Sequence, residues 1–260
     1  MLCKITTLSL FLAYFFYDSK LAKCSKIPAL SLPTYIGKGC LRDDPSLNEC
    51  VVRKGSAVIS RIVQGDPKYR IPKLDPLIIP EMTIQQGTKQ VGLTMRCKNC
   101  ELHGLKNTKF VKANVDEKKK HVIWNFELDR CMFLGLYSVE GQVLILPIKG
   151  DGNANITVTG VTFSYEYDYK LEKKANNRDY TVITKSDLRF NATGMVLKLE
   201  NLFNGDKLLG DNMNLFLNEN WKDLLKEFGP TIGNALGTVM KNTLGSVSEL
   251  VPYDFIFPTS

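Results

Sequence analysis

Apolar residues recur at steps of three and four in the C-terminal part of the chain, from about Met213 to Leu250. Such steps place side chains on one face of an α-helix, here roughly 55 Å long at 1.5 Å per residue. Four glycines and Pro230 lie in this stretch, and each weakens or bends an isolated helix. The pattern therefore predicts one very long helix that needs an outer layer along its length.

Between Met82 and Leu199 the apolar residues instead alternate with polar ones, which is the period of a β-strand with one buried face. The alternating rows cover residues 91–97, 122–128, 143–148, 161–169, 180–184 and 195–199. Turn residues between the rows are Gly104, Gly141, Gly150-Asp151-Gly152 and Asn176-Asn177, and residues 116–120 form a further hairpin turn. Gly160 is predicted to be a bulge. The rows predict a meander of long antiparallel strands.

The segments before these strands are irregular, with one short helix. Residues 26–49 are rich in proline, glycine and turn residues. Apolar spacing predicts a helix from Cys50 to Val63, with Asn48 as its N-cap. Three prolines in residues 71–80 exclude a central strand, so this segment is predicted to be an extended edge or crossover.

A sheet with one apolar face and a long apolar helix both bury their apolar surfaces if the sheet wraps around the helix. We therefore predict an α+β fold with a strongly curved antiparallel sheet around the C-terminal helix. A helix is only about 10 Å wide with its side chains, so a sheet of this size encloses additional space. The residues predicted to line that space are Leu93, Met95, Trp124, Phe126, Phe163, Tyr165, Tyr167, Val182, Leu197, Trp221, Leu224, Phe228, Ile232 and Leu236.

The first residues have the pattern of a secretory signal peptide. Lys4 precedes an apolar run over residues 5–16, and a small-residue site follows at residues 22–24. This run is too short to span a bilayer, which needs about 20 residues. We therefore expect removal of residues 1–24 and a single secreted domain, residues 25–260, without stable membrane insertion.

The composition of the remaining chain indicates a solvated surface. Removal of the signal peptide takes away three lysines and one aspartate, and so lowers the formal net charge from +7 to +5. The basic residues are scattered, whereas a nucleic-acid footprint is a clustered basic stripe, so no nucleic-acid partner is expected. Asn155 and Asn191 begin glycosylation sequons, which are expected to be glycosylated only if the chain is secreted.

Five of the seven cysteines remain after removal of residues 1–24. Cys40 and Cys50 close a short loop, and in an oxidising compartment we expect them to pair. Either Cys97 or Cys100 bridges to Cys131 across neighbouring strands, or all three are thiols. The Cys-x-x-Cys pair has no second pair to complete a zinc site, so no metal is predicted.

Motifs of catalysis are missing from the sequence. Ser56 is not in a Gly-x-Ser-x-Gly elbow, and the two histidines, His103 and His121, occur in or near predicted strands. Residues 150–155 lack the lysine of a phosphate-binding loop, and Thr162 stands where a calcium loop has glutamate. We expect a binding protein with no catalytic residues and no cofactor, and a tight hairpin turn at residues 150–155.

Several sequence motifs are distributed over nearly the whole mature chain. They are residues 40–50, 71–77, 141–152, 202–210, Asn218-Glu219-Asn220-Trp221 and Pro252-Tyr253-Asp254. In content and order they resemble the takeout and juvenile hormone-binding protein (JHBP) family of insects. The family's N-terminal disulfide maps onto Cys40 and Cys50. The hormone carriers have a second, downstream disulfide, but no cysteine follows Cys131 here, which places the chain nearer the takeout branch.

The resemblance implies a fold and a function. The fold is a long helix wrapped in a strongly curved antiparallel sheet, related to the lipid-binding BPI-like folds, with an internal hydrophobic tunnel. The function is that of a secreted carrier in a hemolymph-like extracellular fluid, with a terpenoid similar to juvenile hormone, a fatty acid or another lipid as ligand. Family members are also linked to feeding, circadian and chemosensory output. The alternative is therefore a secreted signalling protein that acts through its surface on an unknown receptor.

Overall fold

The computed structural model describes residues 29–87 and 92–260, and the predicted signal peptide lies outside them. In this part of the chain an antiparallel sheet of seven strands is combined with four α-helices, which confirms the α+β class. The strands are β1 (Leu77–Gly87), β2 (Gly92–His103), β3 (Lys109–Asp116), β4 (His121–Val143), β5 (Leu146–Lys173), β6 (Asp179–Asn191) and β7 (Gly194–Leu199). The helices are α1 (Leu47–Ile62), α2 (Lys207–Glu219), α3 (Trp221–Leu250) and α4 (Tyr253–Ile256).

One very long hairpin, formed by β4 and β5, is the centre of the sheet. Its strands keep a single register from the His121–Asp168 pair to the Val143–Leu146 pair. Each of the two strands is long enough to pair with two further strands, one after the other, along the edge that faces away from its hairpin partner. β4 pairs with β3 near its start and with β2 further along, while β5 pairs with β7 and then β6. The sheet is therefore more complex than the predicted meander.

The tip of this hairpin lies at residues 144–145, so the predicted turn at residues 150–155 is wrong. Gly150 and Gly152 are inside β5 and pair with β4. A Cβ on Gly150 would lie 2.9 Å from the Cα of Leu202, and one on Gly152 would lie 2.5 Å from the carbonyl oxygen of Glu200. These glycines therefore allow the segment after β7 to approach β5, rather than making a turn.

The inward side of the hairpin changes at its middle. Leu128 is buried before this point and Tyr137 after it, so the buried positions of β4 change from even to odd numbers. The pairing omits Asp129 and Gly160, which face each other, and resumes in the same register. Gly160 has a φ of 56°, a conformation that glycine adopts most easily. Each strand thus has one residue outside the pairing at this point, and because both have one, the register beyond it is unchanged.

Helix α1 begins at Leu47, before the predicted start at Cys50. Asn48 is not its N-cap, because it lies in the first turn of the helix. Its side-chain oxygen instead accepts a hydrogen bond from the backbone N–H of Val115 at 2.9 Å, which ties α1 to β3. The expected disulfide between Cys40 and Cys50 is confirmed and holds the N-terminal loop to α1.

The second disulfide joins two cysteines that were not predicted to pair. Cys97 and Cys100 are bonded to each other and Cys131 is a thiol, so the prediction of a bridge to Cys131 or of three thiols is wrong. Asn99 lies in a bulge of β2 and has a φ of 51°, which brings the flanking cysteines to one side. Gly135 accommodates them, because a Cβ there would be 2.7 Å from the Sγ of Cys97.

The C-terminal helical region consists of α2 and α3, not the single helix predicted over residues 213–250. Asn220 separates them, and its side-chain amide donates to the carbonyl of Phe216 at 2.8 Å. Such side-chain bonds compete with helix continuation. The apolar spacing runs through this junction unchanged and so does not reveal it. Pro230, in contrast, lies inside α3 without ending it.

Glycines bring α3 very close to β6. Gly229, Gly233 and Gly237 are buried and recur once per turn on one side of the helix. A Cβ on Gly233 would lie 2.7 Å from the carbonyl oxygen of Leu188, and one on Gly237 would lie 3.2 Å from the Cβ of Leu188. The residues that weaken an isolated helix thus let its backbone touch the sheet.

We expect Gly233→Ala to destabilise the fold, because the added methyl group meets backbone that cannot rotate away. The net loss should be about 1–2 kcal/mol after the gain in helix propensity. Gly245→Ala is the matched control on the same helix, since a Cβ there meets nothing within 4 Å. Denaturant unfolding should show Gly245→Ala to be neutral or stabilising, and an equal effect of both substitutions would contradict the contact.

Candidate functional site

The inner face of the sheet and the C-terminal helices meet in two apolar clusters. The first, near the β4–β5 turn and α2, contains five of the predicted lining residues: Leu93, Met95, Leu197, Leu224 and Phe228. The second, under the C-terminal half of α3, contains Trp124, Phe163, Tyr165, Tyr167 and Leu236. Phe126 belongs to an adjoining group beside α1 that also includes Trp124 and Phe163.

Three predicted residues lie elsewhere. The register of β5 and β6 shifts after Asp168, so Val182 pairs with Lys170 and lies on the face opposite to Tyr169. The predicted inward position of Val182 is therefore wrong. Trp221 lines a cavity that is open to the surface, and Ile232 is in none of the apolar clusters of the described chain.

Aromatic rings follow one another along the inner face. The rings of Phe126 and Phe163 stack with centroids 4.8 Å apart. The ring of Trp124 meets that of Tyr167 edge-on at 5.5 Å, and Tyr165 is 5.7 Å from Tyr167. We call these five residues the aromatic row. Because β4 and β5 pair directly at Trp124 and Tyr165, the hairpin itself positions the row.

Two polar atoms of the aromatic row have no hydrogen-bond partner among the described residues. They are Trp124 Nε1 and Tyr165 Oη, and the Tyr165 side chain is 0% exposed. Burial raises the pKa of Tyr165, and the nearby Ser186 hydroxyl partly lowers it without reaching hydrogen-bond geometry. An unpartnered buried donor costs about 1–3 kcal/mol. An acceptor oxygen of a bound molecule would remove this cost.

Beyond the aromatic row, polar side chains from several elements meet around Glu117. Glu117 accepts hydrogen bonds from the hydroxyls of Tyr169, at 3.0 Å, and Tyr253. Lys120 lies 3.4 Å from the same carboxylate, and the Arg42 guanidinium lies over the Tyr253 ring at 5.3 Å. This cluster joins the N-terminal loop, the β3–β4 turn, β5 and α4. Burial raises the pKa of Tyr169 and Tyr253 well above the usual range.

Many inward apolar side chains remain only half-buried, although they belong to the clusters. Among the predicted lining residues these are Met95, Trp124, Phe163, Leu197, Phe228 and Leu236. A close-packed interior leaves little such surface accessible, because side chains interdigitate to crystal-like density. These side chains are therefore not close-packed over their whole surface.

Two cavities open to the surface on either side of the end of β6. One of about 340 Å³ is lined by Phe126 and Phe163 of the aromatic row and by Phe190 and Asn191. The other, of about 400 Å³, lies against the start of α3 and is also lined by Phe190 and Asn191. The two openings thus meet at Phe190, which itself packs in the second cluster. The closed internal tunnel implied by the resemblance stays a prediction.

Residues that sequence reasoning missed complete this interior. Leu188 and Phe190 continue the inner side of β6 beyond the predicted row, and their alternation with Asp187 and Arg189 is the signal that extends it. Met240, which packs in the second cluster, follows Leu236 by one helical turn and belongs to the same stripe of α3.

Each of the two histidines pairs with a carboxylate. His121 Nδ1 lies 2.7 Å from Asp168, and His103 Nε2 lies 2.8 Å from Glu101. Within residues 29–87 and 92–260, no group of three His, Cys, Asp or Glu side chains is placed to hold a metal ion. In the same ranges, every helix is too short or too polar to cross a membrane.

Comparison with known proteins gives a consistent result. The sequence model described as haemolymph juvenile hormone binding protein matches residues 11–258. The circadian clock-controlled protein daywake of Drosophila melanogaster is 24% identical over 234 residues, which cover 85% of this chain and 86% of daywake. The juvenile hormone-binding protein of Manduca sexta is 30% identical over 80 residues, or 31% of this chain and 34% of that protein.

A solved structure has the same fold. The crystal structure of Epiphyas postvittana Takeout 1 matches with a TM-score of 0.75 and 28% identity, over 83% of this chain and 96% of that one. This similarity confirms the predicted curved antiparallel sheet with a C-terminal helix, and the sheet is not closed.

We expect Tyr165→Phe to stabilise the ligand-free protein by about 1 kcal/mol, because it removes a buried hydroxyl without a partner. Tyr137→Phe is the matched control, since Tyr137 Oη donates to the carbonyl of Glu200 at 2.7 Å and its loss should cost about 1 kcal/mol. Denaturant unfolding of delipidated protein measures both. A loss of stability in Tyr165→Phe would show that its hydroxyl is already satisfied.

The buried tyrosines predict a loss of stability at alkaline pH. Burial, with the charges of Asp151 and Glu200, raises the pKa of Tyr137 to about 12. Tyrosines of the unfolded chain ionise near pH 10. Their stabilising contribution is therefore complete below about pH 10 and is lost as the pH rises toward 12. Urea unfolding between about pH 8 and 11 should show this decline, and Tyr253→Phe should make it shallower. Equal slopes would contradict the assignment.

Proposed function

The chain belongs to the takeout and juvenile hormone-binding protein family, and on this basis we propose that it is a secreted carrier of a small hydrophobic ligand. The observation that supports the proposal is the set of half-buried apolar side chains between α3 and the β4–β5 hairpin, which we infer to line an incompletely filled space. Side chains from both apolar clusters face this space and remain half-buried. The family's description is that of a binding protein, which agrees with carriage rather than catalysis.

Hydrophobic burial supplies the affinity for such a ligand. Each buried methylene contributes about 0.8 kcal/mol, so a chain of about ten gains roughly 8 kcal/mol before the costs of association. The aromatic and methionine side chains around the interior suit ligands of different shapes, because they offer large and adaptable surfaces. A terpenoid, a fatty acid or another lipid of this size satisfies the requirement.

Polar groups in the interior supply the selectivity. Trp124 Nε1 and Tyr165 Oη can each donate to an oxygen of the ligand, and neither has a partner in the described chain. A ligand with a carbonyl, ether or epoxide oxygen would therefore bind better than a pure hydrocarbon of equal size. The tyrosine hydroxyls of the cluster around Glu117 are already hydrogen-bonded, and the one unpartnered donor there is Arg42 Nε, whose guanidinium lies over the Tyr253 ring.

Features of a secreted protein support an extracellular carrier. Residues 1–24 have the pattern of a signal peptide, which leaves residues 25–260 as one domain. The Cys40–Cys50 and Cys97–Cys100 disulfides suit an oxidising compartment. Both sequon asparagines, Asn155 and Asn191, are exposed and accessible to glycosylation. The family description names haemolymph, a fluid of this kind.

Bound lipid tests the proposal directly. Protein secreted from cultured insect cells is extracted with organic solvent, and the extract is analysed by mass spectrometry. We expect a hydrophobic molecule in about equal amount to the protein, because an apolar interior retains its ligand during purification. In the delipidated Trp221→Phe variant, Trp124 is the remaining tryptophan, and its fluorescence should change when the extracted lipid is added. Protein that retains and takes up no lipid would favour the surface-acting signalling protein instead.

A further inference from the structure

The outer face of the β4–β5 hairpin carries a group of apolar side chains. In the second half of β4 the even-numbered residues face outward, because Tyr137 is buried on the inner side. Leu136 of β4 and Val196 of β7 are 51% and 63% exposed, and Met132 and Leu134 are half-buried on the same face. We call these four apolar residues the outer patch. In the described chain, none of them belongs to an apolar cluster of the interior.

The register of the sheet places Asn155 in the middle of the outer patch. Asn155 pairs with Leu134 of β4. Thr157, the next residue of β5 on this face, pairs with Met132 on one side and with Val196 on the other. Opposite side chains on one face of a sheet are about 5 Å apart at Cβ, and diagonal ones about 7–8 Å. Every member of the outer patch is therefore a direct or diagonal neighbour of Asn155.

The Asn155 side chain is available for modification. It begins the sequon Asn-Ile-Thr, whose two polar residues face outward, while Ile156 pairs with Leu197 on the inner side. The amide of the neighbouring Asn153 donates to Glu200 at 3.0 Å, whereas no hydrogen bond of the described chain uses the side chain of Asn155. Its Nδ2 atom, which carries the sugar in an N-linked glycan, is thus exposed and unengaged.

Paired charges border the outer patch on two sides. On the β2 side, His103 Nε2 lies 2.8 Å from Glu101, and both residues pair with the patch residues of β4. On the β7 side, Lys198 Nζ lies 3.3 Å from Glu200. Because these groups already pair with one another, the border attracts no partner of one particular charge. A neutral cover with an apolar face suits this patch, and a sugar ring is such a cover.

We propose that Asn155 is N-glycosylated and that the first sugar of its glycan covers the outer patch, so that this face is not a docking surface. The inference rests on the proposed secretion of the chain, because N-glycans are attached on the secretory route. One face of an N-acetylglucosamine ring consists largely of C–H groups, which pack on aliphatic side chains while the hydroxyls stay in water. An uncovered apolar patch would instead favour association with other molecules.

The modification is a transfer from a lipid-linked pyrophosphate oligosaccharide. Asn155 Nδ2 forms a bond to C1 of the first N-acetylglucosamine, and the bond from that C1 to the pyrophosphate oxygen breaks. The lipid pyrophosphate leaves with the electron pair, and Nδ2 gives up one of its two protons. The product has a bulky, neutral group at the centre of the outer patch.

Oxidation of Met132 measures the cover locally. Protein is secreted from insect cells grown with kifunensine, which keeps glycans in the high-mannose form, and endoglycosidase H then trims each glycan to a single sugar. The full glycoprotein, the trimmed form and the Asn155→Gln variant are treated with hydrogen peroxide, and the sulfoxide at Met132 is followed by peptide mass spectrometry. We expect both glycosylated forms to react at Met132 at about one third of the rate of the variant.

Two controls separate a local cover from a general effect. Asn191→Gln removes the other sequon, and Asn191 pairs with Thr162 beyond Gly160, so the Met132 rate should equal that of wild type. Met82 of β1 is half-buried opposite Cys97, and its rate should be the same in every form. An equal increase at Met82 in Asn155→Gln would overturn the assignment, because the whole fold would then have loosened.

Self-association measures the consequence of the cover. In sedimentation equilibrium we expect the glycosylated protein to remain monomeric and Asn155→Gln to self-associate at high concentration. Adding Leu136→Thr and Val196→Thr to Asn155→Gln should restore the monomer, because threonine suits an exposed strand position without the apolar surface. Self-association that persists in this triple variant would overturn the role of the outer patch.

The outcomes are distinguishable from a failure of the carrier function. Secreted protein that is unmodified at Asn155, or modified protein with equal Met132 rates in all three forms, would overturn the cover, while lipid extraction tests carriage separately. A cover that is lost on trimming to one sugar would overturn the role of the first sugar. A chain that is retained in the cells would contradict the secretion on which both proposals rest.

Discussion

The approach of α3 to β6 is the contact on which the rest of the interior depends. Gly233 brings the helix backbone against the carbonyl of Leu188, so the helix is held near β6. A helix held there cannot also fill the space under β4 and β5, because the curved sheet is wider than one helix. The same contact that stabilises the wrap therefore determines where the proposed ligand would lie.

The inner face then changes in polarity along the hairpin. The cluster near the β4–β5 turn is almost wholly apolar, and the aromatic row has two buried donors without partners. The Glu117 cluster has paired tyrosine hydroxyls and one unpartnered donor, Arg42 Nε. Paired polar groups stabilise the protein alone, whereas unpaired ones are stabilised only when something binds. The open cavity lined by Phe126 and Phe163 lies at the aromatic row, where the unpaired donors Trp124 Nε1 and Tyr165 Oη are found.

Periodicity predicted the kinds of elements but not their exact geometry. The alternation of Val122 and Phe126 and the helical spacing of Leu224 and Phe228 gave the strands and the helix, because burial imposes those periods. The break at Asn220 leaves no trace in that spacing, since α2 and α3 bury the same stripe. The predicted inward position of Val182 is wrong because the pairing of β5 with β6 shifts by one residue after Asp168. Such a shift reverses the face on which the side chains beyond it lie. The Cys97–Cys100 pairing depends on a bulge that composition does not encode.

The hairpin also limits how this sheet can change over time. Asp129 and Gly160 show that the two strands accommodate an irregular residue when both have one, because the register beyond them is then preserved. An unmatched insertion or deletion in either strand would turn the apolar side chains of the remaining half toward water. Homologous chains should therefore differ by substitutions in these strands, or by length changes made in β4 and β5 together. Ligand specificity can then change while the lengths of the two strands stay coupled.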